Sequence, residues 1–183
     1  ALVQMEALES GYTAMGEFHY LHHAPDGSPY PQRAETALRI LAAAERTGIA
    51  VSLLPVAYLH NGFGRPLATT QRRFGSRDVD DFLTLWGAAR DGVHCGATRH
   101  RIGVAPHSLR AVAPEELRAI VGACRAHGAS YAVLGGSRHP LGSAAGLIGA
   151  VADVVTRQAP CDVLLVRSMP LPATRDGSSA SEP

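Results

Sequence analysis

The sequence predicts an α/β fold, a parallel sheet of about five strands with helical crossovers. Apolar runs of strand length alternate with amphipathic helical runs along the chain, the pattern of a sheet whose strands are joined through helices. One run, IAVSLLPVAYL (49–59), is apolar almost without a break, as strands buried on both faces are. Glycines and prolines mark the points where one period gives way to the next.

A short helix over Val3–Ser10 leads into the strand-like YTAMGEFHY (12–20) and the turn-rich loop PDGSPYP (25–31). RAETALRILAAAERTG (33–48) is a helix with Ala37, Ile40, Leu41 and Ala44 on one face and Gly48 as its stop. After the 49–59 strand, HNGFGRPLATTQRRFGS (60–76) is a long polar loop. DVDDFLTLWGAARD (78–91) is a helix whose first turn is acidic, where carboxylates face the positive end of the helix dipole. RIGVAPHS (101–108) is a strand. APEELRAIVGACRAHG (113–128) is a helix with Pro114 in its first turn and Gly128 at its end. SYAVLGG (130–136) is a strand, AAGLIGAVADVVTRQ (144–158) a helix and CDVLLVRS (161–168) the last strand. The Pro- and Ser-rich stretch 169–183 is expected to be disordered.

Composition narrows the function classes. The 183 residues suffice for one domain with a real core, 46% are hydrophobic, and the mean hydropathy is +0.02. No stretch has the roughly 20 apolar residues of a membrane span. A net charge of +1 gives no electrostatic reason to expect nucleic acid or a membrane surface as partner. All 17 basic residues are arginine, which carries no functional weight here. Cys95, Cys124 and Cys161 are odd in number, far apart and in no C-x-x-C spacing, which argues against a disulfide framework and a thiolate zinc site. With no signal-peptide pattern at the start, a cytoplasmic location is expected, and the first residues read as the inside of a helix, so the chain is expected to begin within a domain.

In parallel sheets the chemistry gathers at the carboxyl ends of the strands. His19 with Tyr20, Tyr58 to Asn61, His107 to Arg110 and Gly135 to His139 all fall there, so one sheet would bring four polar strand ends to one edge. GEFHYLHH (16–23) holds Glu17, His19, Tyr20, His22 and His23. Read as zinc ligands, its histidines would need three or four converging donors, yet the His-x-His pair that points two rings inward from one barrel strand occurs nowhere in the chain. The same residues also read as a pocket lining without metal, or as a histidine-rich strand end. In VAPHSLRAV (104–112), His107 and Arg110 lie three apart just after a strand. A tight turn there can aim an arginine fork and an imidazole at one carboxylate, although an ordinary loop with a surface arginine has the same sequence. Arg72 and Arg73 of QRRF are further candidates, or else solvated.

GYTAMGEFHYLHH, LLPVAYLHNGFG, QRRF and GVAPHSLRAVAPEEL, in that order, resemble the formimidoylglutamate deiminases of the amidohydrolase superfamily over residues 1–120. The resemblance implies a partial (β/α)8 TIM-barrel arc, here barrel strands two to four. The activity it implies is metal-dependent hydrolysis of N-formimino-L-glutamate to N-formyl-L-glutamate and ammonia, a step of histidine degradation. It further implies that Tyr20, His107 and Arg110 bind substrate, the last two at the glutamate carboxylates. The family's zinc ligands have no counterpart in this chain. The resemblance therefore comes with the expectation of no metal, no catalytic residue and no activity by the chain alone, since hydrolysis needs the metal-activated water.

Residues 121–168, ACRAHGASYAVLGGSRHPLGSAAGLIGAVADVVTRQAPCDVLLVRS with its lead-in, resemble the Rossmann-like C-terminal part of the universal stress protein family. There a G-x2-G-x9-G-(S/T) loop holds ATP phosphates with backbone N–H groups. The resemblance implies Gly136, Ser137, Arg138 and Gly149 as nucleotide-binding positions and ATP as the ligand. His139 in place of the second glycine and Ala150 in place of the hydroxyl weigh against it. The chain thus reads as a hybrid: a barrel segment over 1–120, a stress-protein end over 121–168 and a tail over 169–183. The expected partner is a small molecule bearing carboxylates. A nucleotide-binding stress module is the alternative, and an unclosed arc leaves a sheet edge that invites self-association.

Overall fold

A computed structural model describes residues 1–96, 99–136 and 162–167. In chain order the elements are α1 (Leu2–Glu9), β1 (Ala14–His19), α2 (Glu35–Thr47), β2 (Ala50–Ala57), α3 (Val79–Cys95), β3 (Arg101–Ile102), β4 (Ala105–Pro106), α4 (Pro114–Ala126), β5 (Tyr131–Gly136) and β6 (Asp162–Arg167). A single 3-10 turn, Thr69–Gln71, interrupts the long loop after β2. The expected alternation of strand and helix is present through β5, and every strand pair is parallel.

The strands fall into two ladders rather than one five-stranded sheet. In the first, β2 is central: β1 pairs one side from Ala14↔Ala50 to His19↔Pro55, while β3 and β4 pair with it at Ser52↔Arg101 and Val56↔Ala105. In the second, β5 pairs β6 from Tyr131↔Asp162 to Gly136↔Arg167. β5 lies against β4, and the Ser130 N–H just before it donates to the Ile102 carbonyl at 2.8 Å. The expected strand over 101–108 is split at Gly103: Pro55, the residue of β2 that faces it, has no N–H to give, and the Gly103 carbonyl accepts the buried Trp86 indole N–H at 2.8 Å instead. The Gly103 N–H still donates to Leu53, and the His107 N–H to Ala57, so the segment keeps following β2.

The core lies between the sheet and helices α2, α3 and α4. Ala37, Leu41 and Ala44 of α2 pack with Phe82, Trp86, Ala89 and Val93 of α3 and Leu117, Ile120 and Cys124 of α4 against Val51, Leu53 and Ile102. The α2 face is the expected one, with Ile40 only half-buried. That helix starts at Glu35, two residues later than expected, and Gly48 closes it in the left-handed conformation (φ +86°) that glycine adopts without a Cβ clash. α3 begins where the Asp78 carboxylate accepts the Asp81 N–H at 2.8 Å, and it extends four residues beyond the expected end because Ala89 and Val93 continue its buried face. α4 opens with Pro114 at its first position and the Glu116 carboxylate reaching back to the Ala113 N–H at 2.7 Å.

The expected helix over 144–158 and the tail over 169–183 lie outside the described residues. No helix among the described residues is long and apolar enough to cross a membrane.

Candidate carboxylate-binding site

The ends of β1, β2 and β4 deliver three rings to one place. Tyr20 follows β1, Tyr58 follows β2 and His107 follows β4. The His107 ring meets Tyr58 edge-on at 4.8 Å between centroids and Tyr20 at 6.0 Å. A parallel ladder makes this convergence unavoidable, because its strands all end on the same side. Arg110 is exposed and comes close to Gly62, where an added Cβ would sit 3.8 Å from its Cγ. Among the described residues no carboxylate pairs with it.

The electrostatics of the cluster favour an anion. Partial burial, reinforced by the Arg110 guanidinium, lowers the His107 imidazole, so it sits neutral with Nδ1 3.0 Å from the Ser108 hydroxyl. Partial burial and the neighbouring Tyr58 raise the Tyr20 phenol, which keeps its proton for a ligand. The cluster therefore offers phenol donors and one arginine fork. Such a set suits a carboxylate.

Of the residues predicted for substrate, Tyr20 and His107 are brought into ring contact, and Arg110 stands beside His107. Tyr58 was read only as part of a polar strand end, and nothing in the sequence singled out Gln71, whose carboxamide is bonded to it. Gln71 Nε2 donates to the Tyr58 hydroxyl at 2.9 Å and to Asn61 Oδ1 at 2.7 Å, while its Oε1 accepts the Ala68 N–H at 2.9 Å. Of QRRF, the glutamine is the residue bonded to Tyr58.

The histidines of GEFHYLHH have other employment. His19 Nε2 donates to Thr36 Oγ1 at 3.0 Å, since that hydroxyl gives its own proton to the Leu21 carbonyl. His22 Nε2 donates to the Val56 carbonyl at 2.9 Å, and His23 Nδ1 to the Arg72 carbonyl at 3.0 Å. All three rings are buried. Zinc, which the deiminase resemblance implies, does not fit these residues. Among the described residues no group of three or more His, Cys, Asp or Glu side chains converges to hold it.

A second concavity of about 770 Å³ lies between the loops after β1 and β2, lined among others by His23, Arg33, His60, Arg72, Ser76 and Asp81. Its charges largely answer one another. The buried Asp81 carboxylate takes Arg33 at 2.6 Å and the Arg77 side chain at 3.5 Å, and these guanidiniums, with the Arg77 N–H, hold it below the usual carboxylate range against the opposing effect of burial. His60 Nε2 sits 2.8 Å from Glu116. These contacts tie the loops to α3 and α4.

Gly136, the first residue expected to touch ATP, ends β5; Ser137, Arg138 and Gly149 lie outside the described residues.

In class, this arc with its strand-end cluster is similar to the amidohydrolases. A crystal structure of an amidohydrolase from Brucella melitensis superposes on 73% of the chain with a TM-score of 0.66 and 39% identity, and 30% of that protein is covered. In particular, 120 residues, 65% of the chain, are 43% identical to formimidoylglutamate deiminase of Pseudomonas aeruginosa. They cover 26% of that enzyme, so the chain spans about a quarter of the curated relative it matches. No family model matches the chain. These two matches support the resemblance to the amidohydrolases.

Proposed function

We propose that this chain is the substrate-carboxylate-binding segment of a formimidoylglutamate deiminase-like amidohydrolase, with Tyr20, His107 and Arg110 as its binding residues. The observation that carries the reading is the convergence of Tyr20, Tyr58 and His107 at three parallel strand ends, beside an arginine with no carboxylate partner among the described residues. The similarity to the Pseudomonas aeruginosa deiminase supplies the substrate class, a glutamate bearing a formimino group. Hydrolysis of that group needs an activated water, and the described residues hold no donor set for the metal that would activate it. On this reading, holding the substrate carboxylates is the part of the reaction that these residues serve.

Calorimetric titration with N-formyl-L-glutamate tests the reading. The chain should bind it, and Arg110→Ala should weaken binding about tenfold or more, the order expected for a charge-assisted fork. Unchanged affinity in Arg110→Ala would overturn the assignment. Incubation with formiminoglutamate should release no ammonia; steady release would show that the chain hydrolyses without further segments.

A further inference from the structure

The hydrogen bonds of Gln71 fix the direction of a proton. Its Oε1 must face the Ala68 amide, because a backbone N–H can only donate. The carboxamide therefore cannot be turned the other way, and its NH2 has to point at Asn61 Oδ1 and the Tyr58 oxygen. The Tyr58 hydroxyl thus already accepts a hydrogen bond, and its own hydrogen must go to a different acceptor. Among the described residues none takes it. The ring carrying this hydroxyl packs edge-on against His107 at 4.8 Å, so it belongs to the same cluster as the predicted binding residues.

We infer that Tyr58 is a fourth ligand-binding residue, a hydroxyl held as an outward donor by Gln71, and that Gln71 sets the preference of this site for anionic oxygens. The inference rests on the proposed carboxylate-binding function and deepens it. A hydroxyl free to rotate can give or take a hydrogen bond and so tolerates amides, alcohols and carboxylates alike. With one lone pair taken by Gln71, the Tyr58 hydroxyl has its hydrogen left to give. With the protonated Tyr20 phenol and the Arg110 guanidinium, the cluster then presents donors on several sides and favours a carboxylate over a carboxamide of the same shape. The selectivity comes from leaving an amide NH2 facing donors, which costs more than a missing bond.

The test is a double-mutant cycle read by calorimetry, with N-formyl-L-glutamate and its side-chain amide N-formyl-L-glutamine as probes. Tyr58→Phe keeps the ring against His107 and should lose about tenfold in glutamate-derivative affinity, the order for a hydrogen bond to a charged group. Gln71→Glu keeps the length and the acceptor for Ala68 but makes position 71 an acceptor for Tyr58, reversing the hydroxyl. It should lower affinity for the carboxylate and narrow the gap between the two probes. In the Tyr58→Phe background the same Gln71→Glu change should do several-fold less, because no hydroxyl remains to reverse. Thermal midpoints of the variants show whether each is folded as the parent. A parent that binds and a Tyr58→Phe variant of equal affinity would overturn the inference and leave the function standing. Equal effects of Gln71→Glu with and without the hydroxyl would overturn the role of Gln71. A parent that binds neither probe would overturn both.

Discussion

His22 shows how much a single side chain settles at the end of the central strand. The β1–β2 ladder ends at the register His19↔Pro55. The next carbonyl, Val56, accepts from the His22 ring instead of from β1. The ring is 2% exposed, and burial, outweighing that hydrogen bond, pushes its pKa from 6.5 down to about 4. The neutral form is thus the folded form, and Nδ1 has no partner. Unfolding frees the imidazole to protonate near its ordinary value. The stability that His22 contributes is therefore complete above about pH 6.5 and is lost as pH falls toward 4, in total roughly 3 kcal/mol. Urea unfolding followed from pH 7 to 4.5 should show this fall, and His22→Gln should flatten the curve while lowering its pH 7 plateau; a curve equally steep in the variant would remove His22 as the cause. Three histidines in five residues drew attention to metal and to substrate, yet a count of imidazoles does not say whether their nitrogens already have protein partners. Here the partners come from Thr36, Val56 and Arg72, residues distant in sequence.

Among the described elements, the helices were legible to within a few residues and the third strand was not. Helix signals are local: Asp78 as a cap, Pro114 at a first position, Gly48 as a left-handed stop. The split between β3 and β4 depends on Pro55 of the neighbouring strand, which has no N–H for the Gly103 carbonyl, and on the contact that takes its place across the core, the Trp86 indole; no periodicity within RIGVAPHS reports it. That contact also sets the outcome of one substitution. Trp86→Phe keeps an aromatic in the core but leaves a buried carbonyl without its donor. The expected cost is about 1–3 kcal/mol for the lost bond, plus the smaller ring volume. It should appear as a lower urea midpoint at unchanged slope; a loss below half a kcal/mol would mean that water or a backbone shift replaces the indole. The same logic explains why the glutamine of QRRF was overlooked. Its value comes from Tyr58 and Asn61, which the fold sets beside it.

At the scale of the molecule, the strand-end rule anticipates the candidate cluster: residues following β1, β2 and β4 meet because parallel strands finish together. The nearness of Tyr20, His107 and Arg110 was legible through that rule; their role in binding is a proposal. The single sheet was not legible, because the alternation of elements says nothing about which strands share hydrogen bonds. Parallel pairing has a further consequence, for the order in which the chain folds. No two laddered strands are joined by a hairpin, so every rung of β1–β2 links residues on opposite sides of α2. A crossover that remains coil makes that meeting entropically expensive, whereas a formed helix shortens the path. α2 must then be largely structured in the transition state for refolding. Ala42→Gly, on the exposed side of that helix, removes about 1 kcal/mol of helix propensity without touching the core. Stopped-flow measurements should find refolding slowed roughly threefold to fivefold and unfolding nearly unchanged. The reverse partition would place the docking of β1 on β2 ahead of the helix between them.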